Sequence, residues 1–169
     1  MAKVIYNNLI SEPRTNVLNL ISDKTNVADP VTSSAEFRKW IYSREPDVKD
    51  SNFSGYPFII LHPAMFDPSI RGSMGGKIKV VDWQMEIEIV TSDRGYGGKD
   101  GLGLTHNDSI TNDILETLMN AANRITLRNF GMSFSDPTVS GVTTEALADE
   151  LVYRRVITLT FTDRRVISA

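Results

Sequence analysis

The sequence predicts an α+β domain: an antiparallel or mixed β-sheet with helices packed mainly on one face. Two long alternating segments and one long helical stripe support this prediction. The first segment, residues 81–89, alternates apolar and polar side chains, which is the pattern of a half-buried strand. Its apolar residues are Val81, Trp83, Met85, Ile87 and Ile89, and its polar residues are Asp82, Gln84, Glu86 and Glu88.

The second alternating segment, ELVYRRVITLTFTDRRV, lies near the end of the chain. Tyr153, Ile157, Leu159 and Phe161 alternate there with Arg154, Thr158, Thr160 and Thr162. If the two strands are neighbours, Arg154 can pair with Glu86 or Glu88. Arg155 falls on the apolar side, so either a bulge turns it outward or it forms a salt bridge within the subunit or between subunits.

The helical stripe consists of Ile110, Ile114, Leu118, Ala121 or Ala122, and Ile125. These residues recur with the 3.6-residue period of an amphipathic helix. Asp108 or Ser109 is the expected N-cap, and Gly131 is expected to close the helix. We expect this helix to cover the apolar face of the first strand.

The first 60 residues divide into several short elements. Apolar residues on either side of Pro13 predict one bent helix or two short ones. The segment SSAEFRKWIYSREP, residues 33–46, has the capping-box spacing of Ser33 and Glu36 and predicts a short helix. The alternative is a strand through residues 40–42. The apolar run of residues 58–61 predicts a buried strand.

The remaining segments are expected to connect these elements. Residues 67–76 predict a turn-rich connection, and adjacent apolar residues at Val80 and Val81 suggest a bulge. The glycine-rich residues 95–103 predict a mobile loop. Residues 132–148 are strand-like at first and loop-like after Pro137. The sequence thus predicts a single domain over residues 1–169, with a helical segment and loop at 1–34, a core at 35–166, and flexible loops near 92–107 and 133–148.

Composition excludes several classes of function. The 169 residues carry a formal net charge of −3, so no overall basic surface for nucleic acid is expected. The sequence has no cysteine, which excludes disulfides and thiolate metal sites. No apolar run approaches the roughly 20 residues of a membrane helix, so no membrane partner is expected.

Catalytic and ligand-binding motifs are not evident. The glycines of residues 95–103 do not have the GxGxxG spacing, and the Walker pattern fails near Gly76. His62 ends an apolar strand and is interpreted as structural, while His106 near Asp108 is too small a group for a metal site. Glu86 and Glu88 could be paired catalytic carboxylates, but a solvated or pore-facing sheet surface is far more common. We therefore predict no catalytic, cofactor or metal site.

Four segments together resemble the tail-terminator (tail-completion) proteins of long-tailed bacteriophages. They are YPFIILHP, WQMEIEIVTSDRGYG, NDSITNDILETLMNAANRI and VYRRVITLTFTDRR, within roughly residues 35–166. The resemblance implies a structural subunit of a hexameric ring, without catalytic residues. Such a ring binds the last ring of the tail tube, stops its polymerisation and offers its other face to a head-completion or connector protein. It implies a place in the virion at the tail–head junction, after assembly in the host cytoplasm.

The resemblance also assigns roles to particular residues. Residues 95–103 and 133–148 would be partner-contacting extensions. Glu86 and Glu88 would face a lumen through which DNA passes without specific binding. Candidate partner or subunit contacts are Arg94, Tyr96, Lys99, Asp100, Arg154, Arg155, Arg164 and Arg165. The alternatives are another head–tail connector, such as a head-completion or adaptor protein, and, from different classes, a ferredoxin-like nucleic-acid-binding module or a small enzyme.

Overall fold

The computed structural model of the protein describes residues 6–31, 38–66, 71–72, 78–94, 102–130, 132–147 and 150–166. The helices are α1 (Tyr6–Ser22), α2 (Gly103–Met119) and α3 (Ala121–Asn129). The strands are β1 (Ile41–Tyr42), β2 (Phe58–Leu61), β3 (Met65–Phe66), β4 (Arg71–Gly72), β5 (Ile78–Ser92), β6 (Met132–Phe134), β7 (Thr138–Val139), β8 (Thr143–Leu147) and β9 (Glu150–Val166).

The two alternating segments, β5 and β9, form the centre of one sheet. They pair antiparallel from Ile78 opposite Val166 to Ser92 opposite Val152. Strands β2, β3 and β4 pair in turn with the other side of β5, and β6, β7 and β8 pair in turn with the other side of β9. Strand β1 joins β2 in parallel, so the sheet is mixed. The predicted fold class is confirmed.

All three helices contribute to the core on one face of the sheet. Alternate residues of β5 and β9, such as Ile87 and Leu159, are fully buried there. They pack in one cluster with Ile114 of α2, Val17 of α1 and Leu127 of α3. The predicted cover of the β5 apolar face is therefore confirmed, with α2 as its main element.

The opposite face has a smaller apolar cluster at one end. Phe58, Ile60, Val90 and Val152 are buried in it. The ring of Phe58 contacts the rings of Tyr42, Phe53 and Tyr56, with centroids 5.4–5.8 Å apart. The aromatic residues of the connection between β1 and β2 thus cover this end of the sheet, which the alternation in β5 alone did not predict.

The structure decides two predictions about the first 60 residues. One helix, α1, runs through Pro13, as the first of the two alternatives proposed. The short helix expected over residues 33–46 is wrong in its second half, because residues 41–42 form β1 beside Ile59 and Ile60. Arg38, just before β1, bonds Asp29 and the carbonyl oxygens of residues 54, 55 and 57. Residues 33–37 lie outside the described part.

The long helix differs from its prediction at both ends. It begins at Gly103 and not at Asp108 or Ser109. A Cβ at Gly103 would lie 2.7 Å from the carbonyl carbon of Ser92, so only glycine permits this close approach to the end of β5. The stripe is interrupted at Asn120, whose side chain accepts hydrogen bonds from the backbone of Ala122 and Asn123 and caps α3.

The division at Asn120 changes which residues are buried. Ile125, predicted as part of the apolar stripe, is 59% exposed, and Leu127 is buried in its place. The apolar stripe of α2 therefore does not continue into α3. Gly131, the expected C-terminal residue of the helix, lies outside the described residues.

Two further predictions about the sheet are corrected. Val80 and Val81 pair one-to-one with Arg164 and Asp163, so β5 has no bulge there. The segment after Pro137 is not a loop, because β7 and β8 pair with β9. All five residues of β8, TTEAL, are exposed, so the apolar–polar alternation of a half-buried strand is missing there. Residues 67–70, 73–77 and 95–101 of the predicted connections lie outside the described part.

Candidate functional site: an ion-pair network across the sheet

A network of charged side chains crosses the sheet on the face opposite the helices. Its centre is Glu88 of β5, whose side chain is only 15% exposed. The two carboxylate oxygens have different partners: Oε1 accepts from Nη1 of Arg154 at 2.9 Å, and Oε2 lies 2.9 Å from Nε2 of His62. The predicted pairing of Arg154 with an acidic residue of β5 is confirmed, with Glu88 as the partner.

Arg154 connects this centre to both flanks of the sheet. Its Nη2 donates to Oε1 of Glu45, in the connection after β1. Its Nε lies 3.5 Å from Oε2 of Glu145, in β8. One guanidinium therefore links the central strand β5 to the segments that flank both edges.

Burial and hydrogen bonding shift the pKa values of Glu88 and Arg154 in opposite directions. Burial alone would raise the pKa of Glu88, but hydrogen bonds from Arg154 and His62 outweigh it and hold the pKa below its ordinary value. Burial likewise disfavours the charged form of Arg154, and its bonds to Glu45 and Glu88 more than offset this, so its pKa is raised. Both groups of the central pair are therefore charged at neutral pH.

These contacts favour a structural interpretation of Glu88 over a catalytic one. A general acid needs a carboxyl group that holds its proton near neutral pH, and a nucleophile needs an accessible oxygen. Glu88 is ionised, and both of its oxygens have partners. Glu86, the other member of the proposed pair, lies on the same face, opposite Thr158. The structure does not bring Glu86 into the network.

The position of Arg155 decides between a bulge and a salt bridge, the two alternatives that the sequence left open. It keeps its register opposite Ile89 without a bulge, so it points to the helix-covered face. Its Nη1 lies 2.7 Å from Oδ1 of Asp108 and 3.4 Å from Oγ1 of Thr111, both in α2. The intramolecular salt bridge is therefore the correct alternative, and it attaches the first turns of α2 to β9.

The other candidate contact residues lie in different parts of the sheet or outside the described residues. Arg94 is exposed in the turn after β5, and its backbone N–H donates to Oγ of Ser92 at 3.2 Å. Tyr96, Lys99 and Asp100 lie outside the described residues. Arg164 and Arg165 occupy positions opposite Val80 and Lys79 in the sheet, and their side chains are not described.

The histidines do not form a joint site. His62 belongs to the network, and His106 lies in α2 at the opposite face of the sheet. His106 and Asp108 are two positions apart, so they do not share a helix face. Among the described residues, no group of three or more His, Asp or Glu side chains could hold a metal ion.

Sequence reasoning missed Glu45, Glu145 and His62 as members of the network. Glu45 is 109 residues from Arg154 along the chain, and His62 is 26 residues from Glu88. The one available signal was the position of His62 directly after β2, which places it beside β5 if the two strands are neighbours. Glu145 stood in a segment that was interpreted as a loop.

Comparison of the chain with protein-family models and with curated proteins finds no match. None of the helices that the structure describes is long and apolar enough to cross a membrane. The network, the sheet edges and the exposed surfaces of the chain itself must therefore support any functional proposal.

Proposed function

We propose that the protein is a structural subunit of a closed ring, of the tail-terminator type, which caps the end of a phage tail tube at the tail–head junction. In this role the subunits join edge to edge, and the ring stops polymerisation of the tube and provides a face for head attachment. One observation carries the proposal: two outer edges of the sheet, that of β1 and that of β7 and β8, match each other in height and direction.

The two edges lie at the same level of the sheet. One row of paired residues runs from Tyr42 in β1 through Ile60, Glu88 and Val156. It ends at Ser140, whose backbone N–H donates to the carbonyl oxygen of Val156 at 2.9 Å. Strand β8 begins three residues further along. A neighbouring copy at the same height would therefore place its β1 beside β7 and β8.

The directions of the edges also match. Strand β1 runs parallel to β2, which is antiparallel to β5 and so has the direction of β9. Strand β8 is antiparallel to β9. A copy related by rotation about an axis along the strands would present β1 antiparallel to β8. Such an interface uses two different surfaces, and it makes a ring if the rotation closes.

The ion-pair network supports the same arrangement. It links Glu45, beside β1, through Arg154 to Glu145 in β8, so both proposed edges are held by one side chain. One arginine faces three carboxylates, those of Glu45, Glu88 and Glu145. Arg154 and these three carboxylates together carry a formal charge of −2 (one positive and three negative charges). If this face lines the lumen, it would repel phosphate, and DNA could pass without binding.

Engineered disulfides test the edge-to-edge contact directly, because the sequence has no cysteine. Ser43 follows Tyr42, so it is level with the row of Leu61, Ile87, Ile157 and Val139, and both Ser43 and Val139 are exposed. Under mild oxidation, the double variant S43C/V139C should give a ladder of cross-linked species that ends in a closed ring, of six subunits by the resemblance. Native mass spectrometry and negative-stain images would count the subunits.

Matched variants exclude random cross-linking. Each single variant, S43C or V139C, should give no species beyond a dimer. The pair S43C/N112C, with the second cysteine on the exposed side of α2, should not give a closed ring. A double variant S43C/V139C that stays monomeric at high concentration, alone and with tail-tube protein, would refute the ring.

A second experiment separates a tail terminator from another neck component. Purified rings would be added to polymerising tail-tube protein, and tube lengths would be measured in negative-stain images. A terminator should shorten the tubes in proportion to the rings added. A head-completion or adaptor protein should leave tube length unchanged and bind portal-side proteins instead.

A further inference from the structure

A second surface, distinct from the β1 and β8 edges, lies between α3 and β6. It is an open groove of about 300 Å³ lined by Arg124, Ile125 and Arg128 of α3 and by Met132 and Ser133 of β6. Its lining is partly apolar, from Ile125 and Met132, and partly polar, from the two arginines and Ser133. The groove therefore combines a helix wall and a strand wall.

The helix wall is basic. Arg124 and Arg128 are four residues apart, so they lie on the same side of α3. The nine residues of α3, AANRITLRN, contain no acidic side chain, although the whole chain has a formal net charge of −3. One neighbour of Arg124 is Asp136, whose Oδ1 lies 3.5 Å from Nη1 and whose side chain is 78% exposed. Arg128 is exposed, so a carboxylate of a partner could reach this side of the helix.

The strand wall has backbone groups directed away from the sheet. The backbone N–H of Ser135 donates to the carbonyl oxygen of Thr160. Pairing alternates along an antiparallel strand, so the N–H and C=O groups of Met132 and Phe134 point away from β9. Strand β6 is the last strand of the sheet path on this side. An extended chain could add to this edge.

Exposed apolar residues surround the groove. Ile125 is 59% exposed and Phe130 is 52% exposed. Such residues beside arginines are typical of protein interfaces, where aromatic, apolar and arginine side chains are enriched. Their burial by a partner would remove apolar surface from water.

We propose that this groove binds an extended, acidic segment of a partner protein, which adds as a strand to β6. A carboxylate of the segment would pair with Arg124 and Arg128, and an apolar side chain would pack on Ile125. This is the strand-addition mode of peptide recognition, in which the backbone supplies affinity and the flanking side chains supply specificity.

Nucleic acid fits the surface less well, because it would leave the exposed side chains of Ile125 and Phe130 without apolar partners. A second copy of this chain is the other occupant, and measurement of self-association distinguishes it from a partner segment.

Selection of peptides would test the proposal without knowledge of the partner. A display library of random 12-residue peptides would be selected on the wild-type protein after depletion on the variant R124E/R128E. The selected peptides should share acidic residues and at least one apolar residue. Their Kd should rise at least about tenfold in R124E/R128E, since loss of one strong charge contact is worth about 1.4 kcal/mol or more.

Further variants and modified peptides distinguish the parts of the contact. I125S should weaken binding several-fold, whereas K49E and L104S, at exposed positions elsewhere, should leave the Kd unchanged. Methylation of the backbone nitrogens that face β6 should abolish binding, and methylation of the alternate nitrogens should not. NMR amide shifts on titration should centre on Met132 and Phe134.

Several outcomes would overturn the proposal. The first is a library that yields no binder, or binders that lack carboxylates or bind R124E/R128E equally well. The second is a single-stranded oligonucleotide that binds the wild type more tightly than the peptides do and does not bind R124E/R128E. The third is self-association of the wild type that the same substitutions abolish. None of these depends on ring formation, which the cysteine variants at Ser43 and Val139 test separately.

Discussion

The two faces of the sheet are stabilised in different ways. The helix-covered face is a continuous apolar core in which alternate residues of β5 and β9 meet α1, α2 and α3. The opposite face has an aromatic cluster around Phe58 at one end and an ion-pair network around Glu88 beside it. The first face depends mainly on apolar side chains in register, with the ion pair of Arg155 and Asp108 beside them, whereas the second depends on particular partners from distant parts of the chain. The polar face of an alternating strand can therefore contain clusters of its own and need not be simply solvated.

The largest expected effect tests whether the second face has a core of its own. Phe58→Ala removes a fully buried ring that contacts three other aromatic rings. It should lower the free energy of unfolding by about 3–5 kcal/mol, which is the cost of a large buried cavity. Ile87→Ala, on the helix-covered face, should cost about 2–5 kcal/mol. Urea denaturation followed by circular dichroism would measure both.

A matched exposed residue controls for general sensitivity of the sheet. Gln84 is exposed on β5, and Gln84→Ala should change the stability by less than about 0.5 kcal/mol. If Phe58→Ala costs less than about 1 kcal/mol while Ile87→Ala costs several, the aromatic cluster is only a surface cover. The two faces would then differ more than we infer.

A smaller effect is expected from the network. Arg154→Met keeps the apolar stem and removes the charge, which leaves the largely buried carboxylate of Glu88 without its guanidinium partner. Hydrogen bonds to charged groups are worth about 1.5–3 kcal/mol, so we expect a loss of about 2 kcal/mol. A double-mutant cycle with Glu88→Gln would isolate the coupling between the two side chains.

The exposed Arg44 provides the control for this cycle. Arg44→Met should leave the stability within about 0.5 kcal/mol of the wild type. A coupling energy near zero between Arg154 and Glu88 would mean that the network does not hold this face. The link between the two sheet edges would then have no energetic basis.

The same contrast explains what the sequence could predict. The buried position of Ile87 follows from the local period of two, and the pairing of Arg154 with an acidic residue followed from one assumption, that β5 and β9 are neighbours. To predict the contact of Arg154 with Glu45, one would have needed the position of a residue 109 places away along the chain. The break between α2 and α3 at Asn120 was not predicted, because the apolar spacing of the sequence continues past it to Ile125. Local periodicity therefore predicted the core, whereas the site depended on tertiary contacts.

The smallest effect is the pH dependence of the network. The pKa of Glu88 in the folded protein lies below the ordinary value of 4.5. Its contribution to stability is therefore fully present above the unfolded-state pKa and is lost as the pH falls through the folded-state pKa. The stability difference between the wild type and Glu88→Gln should be largest near neutral pH and should shrink below about pH 4.5. Urea denaturation of both proteins between pH 7 and pH 3 would measure it, and the titration of groups remote from Glu88 cancels in the difference. A difference that stays constant or grows on acidification would show that Arg154 and His62 do not stabilise the ionised carboxylate, and the second face would then be held by the aromatic cluster alone.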